Sequence, residues 1–132
     1  MAGTLRTTGS IVHACAYEVV WCPKYRRPVL DAAIARRLEE IIRDIAHAHD
    51  AEVAGVTIAP ALVHVAVEVG PHFGIHNLVR DMKRRSSRLL RAEFPALSRR
   101  LPTLWTRHYC CISTAGASTD LFADYGLRQR GV

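Results

Sequence analysis

The residues of this chain whose types and spacing could do chemistry are His64, Glu68, Tyr125 and Gln129. A histidine in a strand and a glutamine on a helix can together hold a divalent metal that polarises a phosphate. A tyrosine hydroxyl beside them can then attack phosphorus. Tyrosine suits this step because its phosphodiester retains the bond energy, so a cleaved strand can be rejoined by reversal. His64 and Glu68 lie two pleats apart on one face of a strand, and Tyr125 and Gln129 stand at i and i+4 on one face of a helix. A packed strand histidine and a tyrosine that docks its own helix have the same spacing, so the pattern alone leaves both readings open.

A second signal is charge. Between Arg80 and Arg107 stand nine basic residues (Arg80, Lys83, Arg84, Arg85, Arg88, Arg91, Arg99, Arg100 and Arg107) against two acidic ones, Asp81 and Glu93. That stretch carries +7 in a chain of +6, so the remainder nets −1. A field so localised attracts phosphate. A solvated arginine-rich helix face would have the same composition.

The elements that must position these groups follow from periodicity. Ile11 to Trp21 is rich in β-formers and reads as a strand, followed by the turn-like Cys22-Pro-Lys-Tyr-Arg-Arg-Pro28. Asp31 is a candidate N-cap for a helix to about His49, with Ile34, Leu38, Ile41, Ile42 and Ile45 at helical spacing. A short strand from Val53 to Ile58, interrupted by Gly55, leads to the clearest strand, Leu62 to Val69. Its valines 63, 65, 67 and 69 take one face, which helices must cover, and Leu62, His64, Ala66 and Glu68 take the face a partner can reach. A long amphipathic helix spans Ile75 to Phe94, buried along Ile75, Leu78, Val79, Met82, Ser86, Leu89 and Leu90. Pro95 and Pro102 bracket a basic loop, Trp105 to Thr114 is the last strand, and Ser118 opens a short helix carrying Tyr125 and Gln129. Gly126 weakens that helix by about 1 kcal/mol relative to alanine, so it depends on docking.

The order β-α-β-β-α-β is that of the ferredoxin-like, split βαβ class of α+β fold: an antiparallel-rich sheet, two helices on one face and a short C-terminal helix. Residues 1–10 read as a flexible leader and 11–132 as one domain. At 132 residues and 49% hydrophobic content the chain can build one real core. No apolar run reaches the ~20 residues of a membrane span, and no signal pattern opens the chain. Cys15, Cys22, Cys110 and Cys111 form no CxxC pair or zinc spacing and read as reduced, in keeping with a cytoplasmic protein. Trp21 and Trp105 read as core anchors, while Tyr25 and Tyr109 could either pack or stack on unpaired bases.

The stretches Tyr17-Glu-Val-Val-Trp-Cys-Pro-Lys-Tyr-Arg-Arg27, Leu78-Val-Arg-Asp-Met-Lys-Arg-Arg-Ser-Ser-Arg88, Glu93-Phe-Pro95 and Tyr125-Gly-Leu-Arg-Gln129 resemble the single-tyrosine transposases of small bacterial insertion sequences. These are members of the HUH endonuclease superfamily and relatives of the REP-associated tyrosine transposases. The resemblance runs from Tyr17 to Gln129. It implies a ferredoxin-like homodimer whose sheet continues across the interface, recognition of single-stranded DNA hairpins, and cleavage through a 5′-phosphotyrosine with magnesium or manganese. The family's nucleophile falls on Tyr125, its glutamine metal ligand on Gln129, and its paired histidines, D/E-H-V-H-L, on Ala61-Leu62-Val63-His64-Val65.

That alignment exposes a departure. His64 is kept, but the first histidine is Leu62, which has no lone pair, and the acidic residue before it is Ala61. Glu18 replaces the histidine usual after the first-strand tyrosine, and Arg84 the usual helix glycine, which adds charge where DNA backbone is expected. The expected function is a DNA-binding protein derived from a transposase, whether domesticated or not, with strand transfer lost or reduced. Its DNA contacts would come from Lys24, Arg26, Arg27, Lys83, Arg84, Arg85 and Arg88. The alternative is a working transposase whose metal site is rebuilt with Glu18 or Glu68.

This charge pattern predicts strongly salt-dependent DNA binding. With about five phosphate contacts, log K falls against log salt with a slope of about −3.5 to −4.5, the range spanning single strands and duplex. Arg84→Ala and Arg88→Ala should each weaken binding across sequences without changing sequence choice, as read by a titration at several salt concentrations.

Overall fold

A computed structural model describes residues 5–114. Tyr125, Gln129 and the short helix predicted around Gly126 lie outside the described residues.

Four strands form the main sheet: β3 (Ala16–Trp21), β4 (Glu52–Ala59), β5 (Leu62–Glu68) and β6 (Cys110–Ser113). They lie in the order β4-β5-β3-β6, with every neighbouring pair antiparallel. With the helices α1 (Ala32–Ala48) and α2 (Gly74–Glu93) between them, this is the ferredoxin-like arrangement, β3 and β5 at its centre. Asp31 caps α1, its carboxylate accepting from the Ile34 amide at 3.0 Å. The stripe Ile34, Leu38, Ile41, Ile42 and Ile45 packs with Leu78, Val79, Met82 and Leu90 of α2 over Val19, Val63, Val65 and Val67, all buried. A register shift between Val53 and Gly55 marks the predicted interruption of β4.

Four predicted features are corrected. Within the expected leader, β1 (Arg6–Thr8) pairs antiparallel with β2 (Ile11–His13) across a turn in which Gly9 takes φ +60°, and Thr8 Oγ1 hydrogen-bonds His13 Nε2 at 2.9 Å. The strand predicted over Ile11–Trp21 is two, because the chain leaves this hairpin to enter the main sheet at Ala16. The predicted loop between Pro95 and Pro102 holds a helix, α3 (Pro95–Arg100). Proline at its first turn loses no helical hydrogen bond, and Leu97 is buried beneath it. Finally, the strand predicted from Trp105 begins only at Cys110. Trp105 is instead drawn into the core, edge-on to Trp21 with centroids 5.9 Å apart, its indole N–H donating to Ser86 Oγ at 3.0 Å. Both tryptophans are core anchors, as predicted. No helix among the described residues is long and apolar enough to cross a membrane.

Polar contacts tie α1 to α2. Arg37 grips Glu93 through two hydrogen bonds, of 2.8 and 3.1 Å, and His49 Nε2 meets Asp81 Oδ2 at 2.9 Å. Burial works to raise the Asp81 pKa, but hydrogen bonds from His49, Arg84 and Arg85 and the Arg85 charge outweigh it and hold the carboxyl below its ordinary value of 3.8. A carboxyl depressed in the folded state stabilises the fold above that ordinary value and loses the contribution as pH falls through the folded one. Asp81→Asn should therefore cost on the order of 1–3 kcal/mol at neutral pH. The gap from wild type should close only below pH 3.8, as followed by denaturant unfolding across an acid series. Ser86→Ala, which strands a buried indole donor, should cost about 1–3 kcal/mol at every pH.

Candidate nucleic-acid interface

The helices cover the valine face of the sheet and leave the other open. On that face β5 presents Leu62, His64 and Ala66, and β3 presents Glu18 and Val20. His64 stands opposite Val20 on one side and Thr57 on the other. One step diagonally, Glu18 Oε1 lies 2.9 Å from His64 Nε2, both side chains reachable by solvent. Leu62, next along the same face and 37% exposed, adds no donor. Glu68 does not belong to this accessible group. It is 3% exposed, in contrast to its predicted accessibility, and lies near enough to His13 of the β1–β2 hairpin for its charge to be felt there. Burial lowers the pKa of His13 in that hairpin, the Arg6 charge lowers it further, and Glu68 works against both.

Two donors about 2.1 Å from an octahedral magnesium and at right angles would lie about 3 Å apart, so the Glu18–His64 distance suits a shared ion as well as a hydrogen bond. Among the described residues, however, no group of three His, Cys, Asp or Glu side chains could hold a metal. The described donors do not make a metal centre by themselves. Tyr125 and Gln129, the other predicted members of the site, lie outside the described residues.

The predicted basic residues divide between two places. Arg80, Arg84 and Arg88 follow one another at i, i+4 and i+8 along the exposed side of α2. This helix packs on the valine face, so the arginine stripe and His64 lie on opposite sides of the sheet. Arg84 and Arg85 reach back to the largely buried Asp81 at 3.2 and 3.5 Å, while the guanidinium of Arg84 stays mostly exposed. Beside the stripe lies a cavity of about 380 Å³ walled by His76, Arg80, Arg84, Arg107 and Tyr109. Tyr109 Oη and His76 Nδ1 hydrogen-bond there at 3.0 Å. Sequence reasoning missed that pairing, since nothing local links residues 33 positions apart.

Lys83 has a different role from the phosphate contact predicted for it. Its ammonium donates to the carbonyls of Thr106, Arg107 and His108 at 2.8, 3.3 and 3.2 Å, which takes up all three of its hydrogens. Burial pulls its pKa down. Lys83 positions the segment that carries Arg107 and Tyr109.

The remaining predicted cations, Lys24, Arg26 and Arg27, surround a single 3-10 turn (Lys24–Arg26) at the end of β3. Arg26 and Arg27 are exposed, and the turn is pinned to the core by the Lys24 amide donating to the Leu104 carbonyl at 2.8 Å. Arg26 also lines a groove of about 450 Å³ that continues along the open face past Val20, Cys22, His108 and Cys110.

Comparison with known proteins agrees with this architecture. A family model described as "Transposase IS200 like" matches residues 11–128. The ISDra2 transposase TnpA of Deinococcus radiodurans is 32% identical over 106 residues, 79% of this chain and 76% of the relative. The transposase of insertion sequence IS200 of Salmonella typhimurium is 26% identical over 117 residues, 87% and 76% of the two chains. Among solved structures, a Deinococcus radiodurans protein described as a transposase superposes with a TM-score of 0.76 at 27% identity, covering 94% of this chain and 97% of its own. A REP-associated tyrosine transposase bound to a REP hairpin shares the fold at a TM-score of 0.61 and 10% identity, over 96% and 75% of the chains. With a matching family model over most of its length and a relative above 30% identity, the chain belongs to the IS200-like, single-tyrosine transposase family.

Proposed function

We propose that this member of the family binds folded, single-stranded hairpin DNA and that its metal-dependent strand cleavage and rejoining are lost or reduced. The observation that carries the reading is Leu62: it shares the open face with His64, where the family places a second imidazole, and contributes no donor. The arginine stripe Arg84, Arg88 with Arg85, and the cations Lys24, Arg26 and Arg27, supply phosphate contacts on the two sides of the sheet. In the family's reaction the Tyr125 hydroxyl oxygen would bond to phosphorus, the 3′-oxygen would leave as a hydroxyl, and the reverse attack would reseal the strand. A divalent magnesium or manganese, when bound, would supply charge stabilisation to that phosphate.

A second reading rests on Glu18. Its carboxylate lies 2.9 Å from His64 Nε2 and offers the oxygen that magnesium and manganese prefer, so a rebuilt ligand set of His64, Glu18 and Gln129 would keep the transposase active. Either form is a homodimer in a cytoplasmic setting, pairing through β6: this sheet edge is exposed at all four residues, Ile112 to 61%, and bears no charge to blunt it.

Wild-type protein mixed with a hairpin single strand and manganese should shift the DNA but form no covalent adduct that survives denaturing electrophoresis. Leu62→His, with Ala61→Asp to orient the new ring, should gain manganese binding by calorimetry and a DNA adduct that Tyr125→Phe abolishes. A Tyr125-dependent adduct from wild type would establish the second reading, and Glu18→Gln should then remove manganese binding. Light scattering at tens of micromolar should give the mass of a dimer.

A further inference from the structure

The Lys24–Arg27 turn holds the least economical piece of backbone among the described residues. Among the described residues three other than glycine take positive φ, Tyr25, Arg26 and Asp50, and two of them are neighbours in this turn: Tyr25 at φ 60°, ψ 18° and Arg26 at φ 51°. Glycine adopts this conformation freely and a side chain does not. Yet the sequence places a tyrosine and an arginine in succession, and the turn does nothing to hide them. Tyr25 is 65% exposed, the most exposed of the large apolar side chains among the described residues.

The strain is not the slackness of a loose loop. The Lys24 amide donates to Leu104, the Arg26 amide to Pro23, the Arg27 amide to Lys24 and the Val29 amide to Arg27, and Pro23 bridges to Trp105 in the core. The turn is therefore a rigid bracket that thrusts one aromatic ring into solvent. Lys24 Nζ stands 5.4 Å from the ring centroid. Strain kept up by its surroundings and serving no packing is what a binding contact leaves behind.

Its placement names the ligand. Arg26 lines the groove that runs along the open face past Cys22 and Cys110 to Val20, and Val20 is the residue directly opposite His64. A single strand crossing the open face beside His64 would follow this groove to Arg26, whose chain neighbour is Tyr25. We propose that the Lys24–Arg27 turn clamps one unpaired nucleotide of that strand, the Tyr25 ring stacking on its base and Arg26 pairing with the adjoining phosphate. The proposal rests on the hairpin-binding reading above and assigns the contact for unpaired DNA outside the hairpin stem.

The test compares a bare hairpin with hairpins carrying a 5′ or a 3′ single-stranded tail, with 2-aminopurine at successive tail positions. Wild type should bind one tailed form more tightly than the bare hairpin and quench 2-aminopurine at one position. Tyr25→Gly, which relieves the left-handed strain, should melt no lower than wild type and lose that quenching. Its affinity for the tailed hairpin should fall roughly five- to a hundredfold, toward that for the bare one. Tyr25→Trp should keep both tail affinity and quenching. Equal binding of the tailed hairpin by Tyr25→Gly and wild type would overturn the clamp while leaving hairpin binding intact. A lower melting point with equal losses on bare and tailed DNA would make Tyr25 a packing residue and overturn it too. Wild type that shifts neither DNA would remove the hairpin reading and the clamp together.

Discussion

The antiparallel register between β3 and β5 is the constraint on which the rest of this molecule depends. Pairing Val19 with Val65 and Trp21 with Val63 sends four large apolar groups to the helix side together. The same register necessarily sets Val20 against His64 on the other side and brings Glu18 within a hydrogen bond of the imidazole. A slip of one residue would exchange the two faces, exposing valines and burying a histidine and a glutamate, so the core's demand for apolar contact also fixes the open-face chemistry.

The segment between α2 and β6 is organised by two residues of that helix one turn apart. Ser86 receives the Trp105 indole and Lys83 gathers the next three carbonyls, so the chain is held down onto the helix before it turns back to become β6. An ammonium in the middle of a basic field thus has an internal task, and the outward potential falls to Arg80, Arg84, Arg88 and Arg107. Asp81, drawing on His49, Arg84 and Arg85 at once, sets the starting orientation of one of those side chains, Arg84, and of its neighbour Arg85.

Much of this was legible in the sequence where the signal is periodic. The isoleucine stripe of α1, the Asp31 cap and the valine alternation of β5 each state their own burial, because each belongs to a single element whose geometry repeats. What was not legible depends on partners far away in the chain. Arg6-Thr-Thr8 has no apolar alternation and becomes a strand only because β2 lies beside it. Pro95 looks like a terminator until Leu97 has a core to enter. Trp105 could not be told from a strand residue without Ser86 beneath it, and nothing in the alternation of β5 marks Glu68 as buried. The Glu18–His64 contact spans 46 positions, and only pairing of the two strands discloses it. The roles given to Tyr125 and Gln129 rest on resemblance to a family, which the match over residues 11–128 supports as a family and not residue by residue.

Leu62 sits on the rim of the sheet while its neighbour Val63 is wholly enclosed. Folding energy therefore monitors one of these adjacent positions and is nearly blind to the other. A mutation at 63 would be removed by the protein's own instability. One at 62 is seen only by whatever selection acts on the open face, and passes unnoticed once that selection relaxes. The scaffold can outlive its chemistry, keeping a sound fold and a charged helix long after the opposite surface has been released to change.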